Sequence, residues 1–162
     1  RRRHRRRAGF GPLDAMALAA EVCELFEPLA EERGINLALS GSYGAVINGD
    51  EKLLFEALSN LVDNALKFIP VGATIALAVS GDTGSVRIEV RDNGPGIPPD
   101  ERDIVLRRFH RGSAARSTPG SGLGLNLVAA ILHLHGFALA LEDAHPGLVV
   151  RIHCPRVEAP GQ

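Results

Sequence analysis

Apolar residues recur at helical spacing through Leu18, Val22, Leu25, Phe26 and Leu29, predicting an amphipathic helix from Asp14 to Arg33. Asp14 is placed to cap its start and Gly34 to end it. Pro28 falls inside the pattern and removes a backbone donor, so a kink or break is expected there. A weak alternation from Ile35 to Leu39 reads as a strand, followed by a Gly/Ser turn and a short strand around Ala45–Ile47. Asp50 then caps a second helix, with Leu54, Leu58, Leu61 and Ala65 as its core stripe, which stops near Phe68 ahead of Pro70. The runs Thr74–Ser80 and Ser85–Arg91 flank Gly81-Asp82-Thr83-Gly84 and predict a hairpin. Residues 92–121 are rich in Gly, Pro, Arg and Ser, with one short helix expected near Arg102–Arg107. Leu123–Leu134 reads as a helix, and Phe137–Glu142 and Leu148–His153 as strands joined at His145-Pro146-Gly147. Residues 1–12 read as a basic linker, 13–156 as one folded domain and 157–162 as a flexible tail.

Hairpin-joined strands layered with helices imply an α/β two-layer sandwich whose sheet is mixed but mostly antiparallel. At 162 residues, with 45% hydrophobic and 23% charged residues, the chain is long enough for one ordinary globular core. No apolar run approaches the roughly 20 residues that cross a bilayer. The basic start leads into Ala8, Gly9 and Phe10 rather than the apolar core of a signal peptide, so a soluble chain is expected. Residues 1–7 carry six Arg and no acid; taking these from the net charge of −1 leaves the remainder at −7. An acidic body argues against a nucleic-acid module, and the Arg run reads as a solvated linker. Cys23 and Cys154 sit in apolar surroundings without ligand spacing, which predicts buried thiols and no zinc site.

Three polar features interrupt this scheme. Asn60, Asp63, Asn64 and Lys67 fall at i, i+3, i+4 and i+7 and share one face of the second helix. A solvated stripe has the same pattern, but an Asn carbonyl is also a hard ligand for Mg²⁺, and a nearby Lys can reach phosphate. Asp92-Asn93-Gly94-Pro95-Gly96-Ile97-Pro98 directly follows a strand. Turn chemistry accounts for it, and so does a carboxylate accepting from an adenine amino group while glycines let the backbone lie against a flat ligand. Gly120-Ser121-Gly122-Leu123-Gly124-Leu125 opens a helix, where bare N–H groups suit phosphate oxygens. It follows a polar loop rather than a buried strand, which excludes a dinucleotide fingerprint, and no Gly-Lys-Ser/Thr occurs to make a P-loop. Between them, Arg107-Arg108-Phe109-His110-Arg111 and Arg116 form either a solvated basic loop or a lid whose guanidinium groups meet terminal phosphates. In this order the features describe a purine, a triphosphate and a metal.

Together they resemble the four boxes of the sensor histidine kinase catalytic domain. Asn60–Phe68 is similar to the N box, Asp92–Pro98 to the first glycine box, Arg108–Arg111 to the F box and Gly120–Leu125 to the second glycine box. The resemblance implies the Bergerat ATP-binding fold shared with DNA gyrase: about five strands on three helices, with ATP under a mobile lid. It implies that Asn64 ligates Mg²⁺, that Asn60 supports metal and phosphates, and that Lys67 contacts phosphate. Phe68 would lie near adenine or ribose, and Asp92 would bind the adenine amino group. Gly94, Gly96, Gly120, Gly122 and Gly124 would shape pocket and lid, with Ile97, Phe109, Ser121, Leu123 and Leu125 alongside and Arg111 on the γ-phosphate.

Gyrase-like ATPases place a Glu at the position of Asn60 to activate water, so Asn60 fits transfer to histidine better than hydrolysis. The sequence departs from the family pattern at Ile69, where a small polar residue is common, and at Phe137, where a second Gly is common. The family's acceptor histidine lies on an upstream dimerisation and phosphotransfer domain, and none of the six His here has that context. The resemblance therefore implies that domain and a response regulator as partners, with no nucleic-acid or direct membrane contact. It implies a monomeric isolated domain, a homodimeric parent and a cytoplasmic site beneath a bacterial membrane sensor. A serine kinase, a gyrase-like ATPase and a nucleotide-binding pseudokinase remain the alternative readings.

Overall fold

The computed structural model describes residues 9–94 and 122–158. In chain order the elements are β1 (Phe10–Asp14), α1 (Ala15–Glu32), β2 (Asn36–Gly41), β3 (Val46–Asp50), α2 (Glu51–Phe68), β4 (Thr74–Gly81), β5 (Ser85–Asp92), α3 (Gly122–His135), β6 (Ala138–Asp143) and β7 (Leu148–Pro155). Five strands form one sheet in the order β2-β4-β5-β7-β6. Only β2 and β4 run parallel in it; the other three pairings are antiparallel. The helices cover the sheet, giving the expected sandwich.

Period-two alternation selects the buried face of the sheet. Ile75, Leu77 and Val79 of β4, Val86, Ile88 and Val90 of β5, and Val150, Ile152 and Cys154 of β7 all point into the core. From α2, Leu54, Ala57, Leu58, Leu61, Val62 and Leu66 meet them, while Ala65 packs at the margin. Full burial of each such leucine is worth about 2–3 kcal/mol. Both cysteines are buried and free, and burial pushes the Cys154 thiol up to about 12.

The sequence pattern needs correction in three places. The segment read as linker up to Pro12 enters the fold earlier, because β1 pairs antiparallel with β3 from Phe10↔Asp50 to Asp14↔Val46. Gly9, Gly11 and Pro12 punctuate the segment like a loop, yet a two-stranded ribbon has outer edges where a proline forfeits nothing. Phe10 stacks on His135 with ring centroids 4.6 Å apart, and Asp50 donates its N–H to His135 Nε2 at 3.1 Å. That donor places the ring proton on Nδ1, 2.8 Å from the Ile131 carbonyl.

Secondly, α1 continues through Pro28 without a break. Glu24 and Pro28 are both exposed, so the carbonyl that loses its helical donor faces water. Thirdly, Leu25 is 55% exposed and lies off the core stripe, which runs instead through Ala15, Leu18, Ala19, Val22 and Cys23. Asp14 caps α1 as expected, accepting from Met16 N–H at 2.9 Å and Ala17 N–H at 3.2 Å, and its other oxygen accepts from Gly44 N–H.

Candidate functional site

The helix that carries the polar face meets the Asp92 turn just past its C-terminal end, where Ile69 lies against Gly94. Amphipathic spacing buries one side of this helix and turns Asn60, Asp63, Asn64 and Lys67 to the other. Asn60, Asp63 and Asn64 are half-buried, and Lys67 is exposed. Asn60 Nδ2 donates to the Glu56 carbonyl at 3.0 Å, and Lys67 Nζ lies 3.3 Å from Asp63 Oδ2. Phe68, the last residue of α2, is 59% exposed, so its ring is presented to solvent rather than to the core. Ile69 leaves the helix with extended backbone ahead of Pro70 and lies against Gly94. A Cβ on Gly94 would come 2.7 Å from Ile69 Cγ2, which is why that position carries none. The departure at Ile69 is thus a packing choice: its branched side chain fills the space beside a glycine.

Asp92 ends β5 and is half-buried. Its Oδ1 accepts from Gly94 N–H at 2.9 Å, and the Leu148 N–H also donates to the carboxylate. Burial holds its carboxyl above the ordinary range, opposed by these two donors, which pull it down. Asn93 anchors the turn: its Oδ1 accepts from Thr74 N–H at 2.8 Å, tying the segment to the start of β4.

A third participant escaped the sequence reading. Gly147, in the β6–β7 turn, has φ +103 and presses on the backbone of Asp92 and Asn93. A Cβ there would collide with the Asp92 carbonyl and lie 2.8 Å from Asn93 Cα. Its place after a proline in a hairpin turn explains the glycine locally, so no sequence signal separated the two reasons.

Gly122, Leu123 and Gly124 open α3, as the glycine-rich pattern implied, and α3 packs beside α2. Leu125, the next residue, packs against the core. Gly96, Ile97, Phe109, Arg111, Gly120 and Ser121, together with the expected lid and its short helix, lie outside the described residues. Among the described residues no group of three His, Cys, Asp or Glu could hold a metal unaided. The amide oxygens of Asn60 and Asn64, one turn apart, are hard donors suited to a metal shared with phosphate.

The fold that carries these residues is known elsewhere. A family model described as histidine kinase-, DNA gyrase B- and HSP90-like ATPase matches residues 49–158, covering α2, the Asp92 turn and β7. The chain belongs to this ATPase family. Within it, the chain is similar to the signal transduction histidine-protein kinase/phosphatase MprB of Mycobacterium leprae, at 45% identity over 106 residues. That match covers 65% of this chain and 20% of MprB, so the chain spans about a fifth of the relative's length. The solved mycobacterial sensor histidine kinase MprB has 31% identity and a TM-score of 0.74, covering 92% of this chain and 99% of that one. The catalytic domain of histidine kinase ThkA has a TM-score of 0.80 at 25% identity, covering 91% of this chain and 97% of that one. The histidine kinase branch of the ATPase family is therefore the one this chain joins, and ATP is its nucleotide.

Proposed function

We propose that this domain binds Mg-ATP between the polar face of α2 and the Asp92 turn and donates the γ-phosphoryl group to a histidine on a separate dimerisation and phosphotransfer domain. The carrying observation is Asn60 on the α2 face, at the position where, by the resemblance, gyrase-like ATPases place the Glu that activates water. Asn60 can bind and orient but cannot take a proton from water, so the site is suited to an acceptor that arrives with its own nucleophilic nitrogen. Similarity to histidine-protein kinases supports the same reading.

Asp92 selects adenine by accepting from its amino group, and Phe68 lies against the base or sugar. Asn64, assisted by Asn60, would hold Mg²⁺, and Lys67 would exchange its partner Asp63 for phosphate oxygen. Bound Mg²⁺ would neutralise charge on the β- and γ-phosphates. The side chains then contribute position and charge: the γ-phosphorus–oxygen bond to ADP breaks as a bond to imidazole nitrogen forms. Arg111 is assigned to the γ-phosphate from its place in the F box. The parent is proposed to be a bacterial homodimeric membrane sensor that holds this domain in the cytoplasm and passes the phosphoryl group to a response regulator.

Mixing the chain with a purified phosphotransfer domain and γ-labelled ATP should label histidine in an acid-labile form. Label on serine, or phosphate release without a histidine partner, would give the site to a serine kinase or an ATPase. ATP binding without any transfer would leave a pseudokinase. Asn64→Ala is expected to weaken Mg-dependent ATP binding about tenfold, the loss of roughly one charge-assisted contact. Binding in EDTA should change far less; an equal loss with and without Mg²⁺, measured by calorimetry, would remove the metal role from Asn64.

A further inference from the structure

The end of α2 that carries Asn64, Lys67 and Phe68 lacks a cap of its own. Pro70 forces Ile69 into extended backbone (φ −110, ψ 152), so no left-handed residue folds back to cover the last carbonyls. By contrast, α1 closes itself fully. Gly34 adopts φ +69, its N–H donates to the Glu31 carbonyl at 3.1 Å, and Ile35 N–H donates to the Ala30 carbonyl at 2.8 Å. This rigid turn lies beside the open end of α2. The Gly34 carbonyl accepts from Gly72 N–H at 2.8 Å, and Arg33 Nη1 donates to the Leu66 carbonyl at 3.0 Å.

We infer that Arg33 is a positioning residue for the nucleotide site, acting through the Leu66 carbonyl to hold the last turn of α2. The inference rests on the proposed role of the α2 face. A guanidinium fixed by a closed turn supplies both the missing donor and a positive charge at a helix C-terminus, where the dipole favours it. The last turn leads into Ile69, which lies against Gly94, whose N–H holds Asp92. One solvent-facing arginine thereby steadies the phosphate face and the adenine carboxylate together. Nothing in its local sequence marks it, since an arginine at a helix end reads as ordinary dipole complement.

Calorimetric titration of the chain with Mg-ATP tests this. Arg33→Met should weaken binding about threefold to tenfold, commensurate with one charge-assisted hydrogen bond at a helix end. Arg33→Lys, which keeps the charge and a donor, should recover part of that loss. Arg156→Met is the matched control, because Arg156 likewise donates to backbone carbonyls, of Asp82 at 2.7 Å and Gly44 at 3.1 Å. It should lower thermal stability without changing ATP affinity. Parental affinity in Arg33→Met, no recovery in Arg33→Lys, or an equal affinity loss in Arg156→Met would each overturn the inference. Failure of the parent chain to bind ATP would instead overturn the nucleotide reading beneath it.

Discussion

Asp92→Ala is expected to abolish ATP binding while changing the stability of the empty domain little, because relief of a buried charge and loss of an acceptor for two backbone donors oppose each other. Both effects turn on the same carboxylate. The carboxylate proposed to meet the adenine amino group is half-buried, and burial raises its affinity for a proton more than the N–H groups of Gly94 and Leu148 lower it. A carboxyl whose pKa is higher folded than unfolded stabilises the fold fully below its unfolded pKa. That stabilisation is lost as pH rises through the folded value. At neutral pH, ionisation of Asp92 therefore costs the fold some stability; replacing it by Ala ends that cost but also leaves the Gly94 and Leu148 N–H groups without their acceptor. The proposed adenine contact uses the ionised carboxylate as acceptor, so on that reading the site retains a charge that burial disfavours. Calorimetry should show no ATP binding for Asp92→Ala, and thermal unfolding should show a Tm close to the parent's. A near-parental affinity would sink the adenine assignment. In a carbon NMR titration the Asp92 carboxyl should titrate above the ordinary carboxylate range, and ATP affinity should decline as pH falls through that midpoint.

What the sequence made legible depended on how local each cause was. The strands β4, β5 and β7 alternate because one face of each meets the same core, and that periodicity survives in isolation. The polar face of α2 is equally local, since four residues at helical spacing can be placed without knowing their neighbours. Asp92 and its glycine were visible because the hydrogen bond between them spans two residues. By contrast, β1 was hidden because Gly11 and Pro12 obey loop statistics, while the strand exists through its pairing with β3. Pro28 failed as a breaker because only the fold shows that its orphaned carbonyl faces water. The contacts of Arg33 with the end of α2 and of Gly147 with the Asp92 turn were invisible for the same reason. Each is made to backbone remote in sequence, and each residue has a sufficient local explanation.

Gly147→Ala is expected to weaken ATP binding by more than tenfold and to destabilise the domain by about 2–4 kcal/mol, combining backbone strain with overpacking. At φ +103 any L side chain is strained, and the added methyl would also press on the carbonyl of Asp92 and on Asn93. Those atoms are backbone, so no rotamer change relieves the contact. The β5 end must move, taking with it the carboxylate and the donors that Gly94 and Leu148 aim at it. Gly44 separates the two causes. Its φ of +102 is nearly the same, but a Cβ there meets nothing within 4 Å. Gly44→Ala should therefore carry only the conformational penalty of about 1–2 kcal/mol and retain parental ATP affinity. Denaturant unfolding and calorimetry on both variants decide the matter. If Gly147→Ala also kept its affinity, the β6–β7 turn would be a structural hairpin without hold on Asp92. If it lost affinity while Gly44→Ala did not, the contact rather than the strain would be what holds the adenine carboxylate in place.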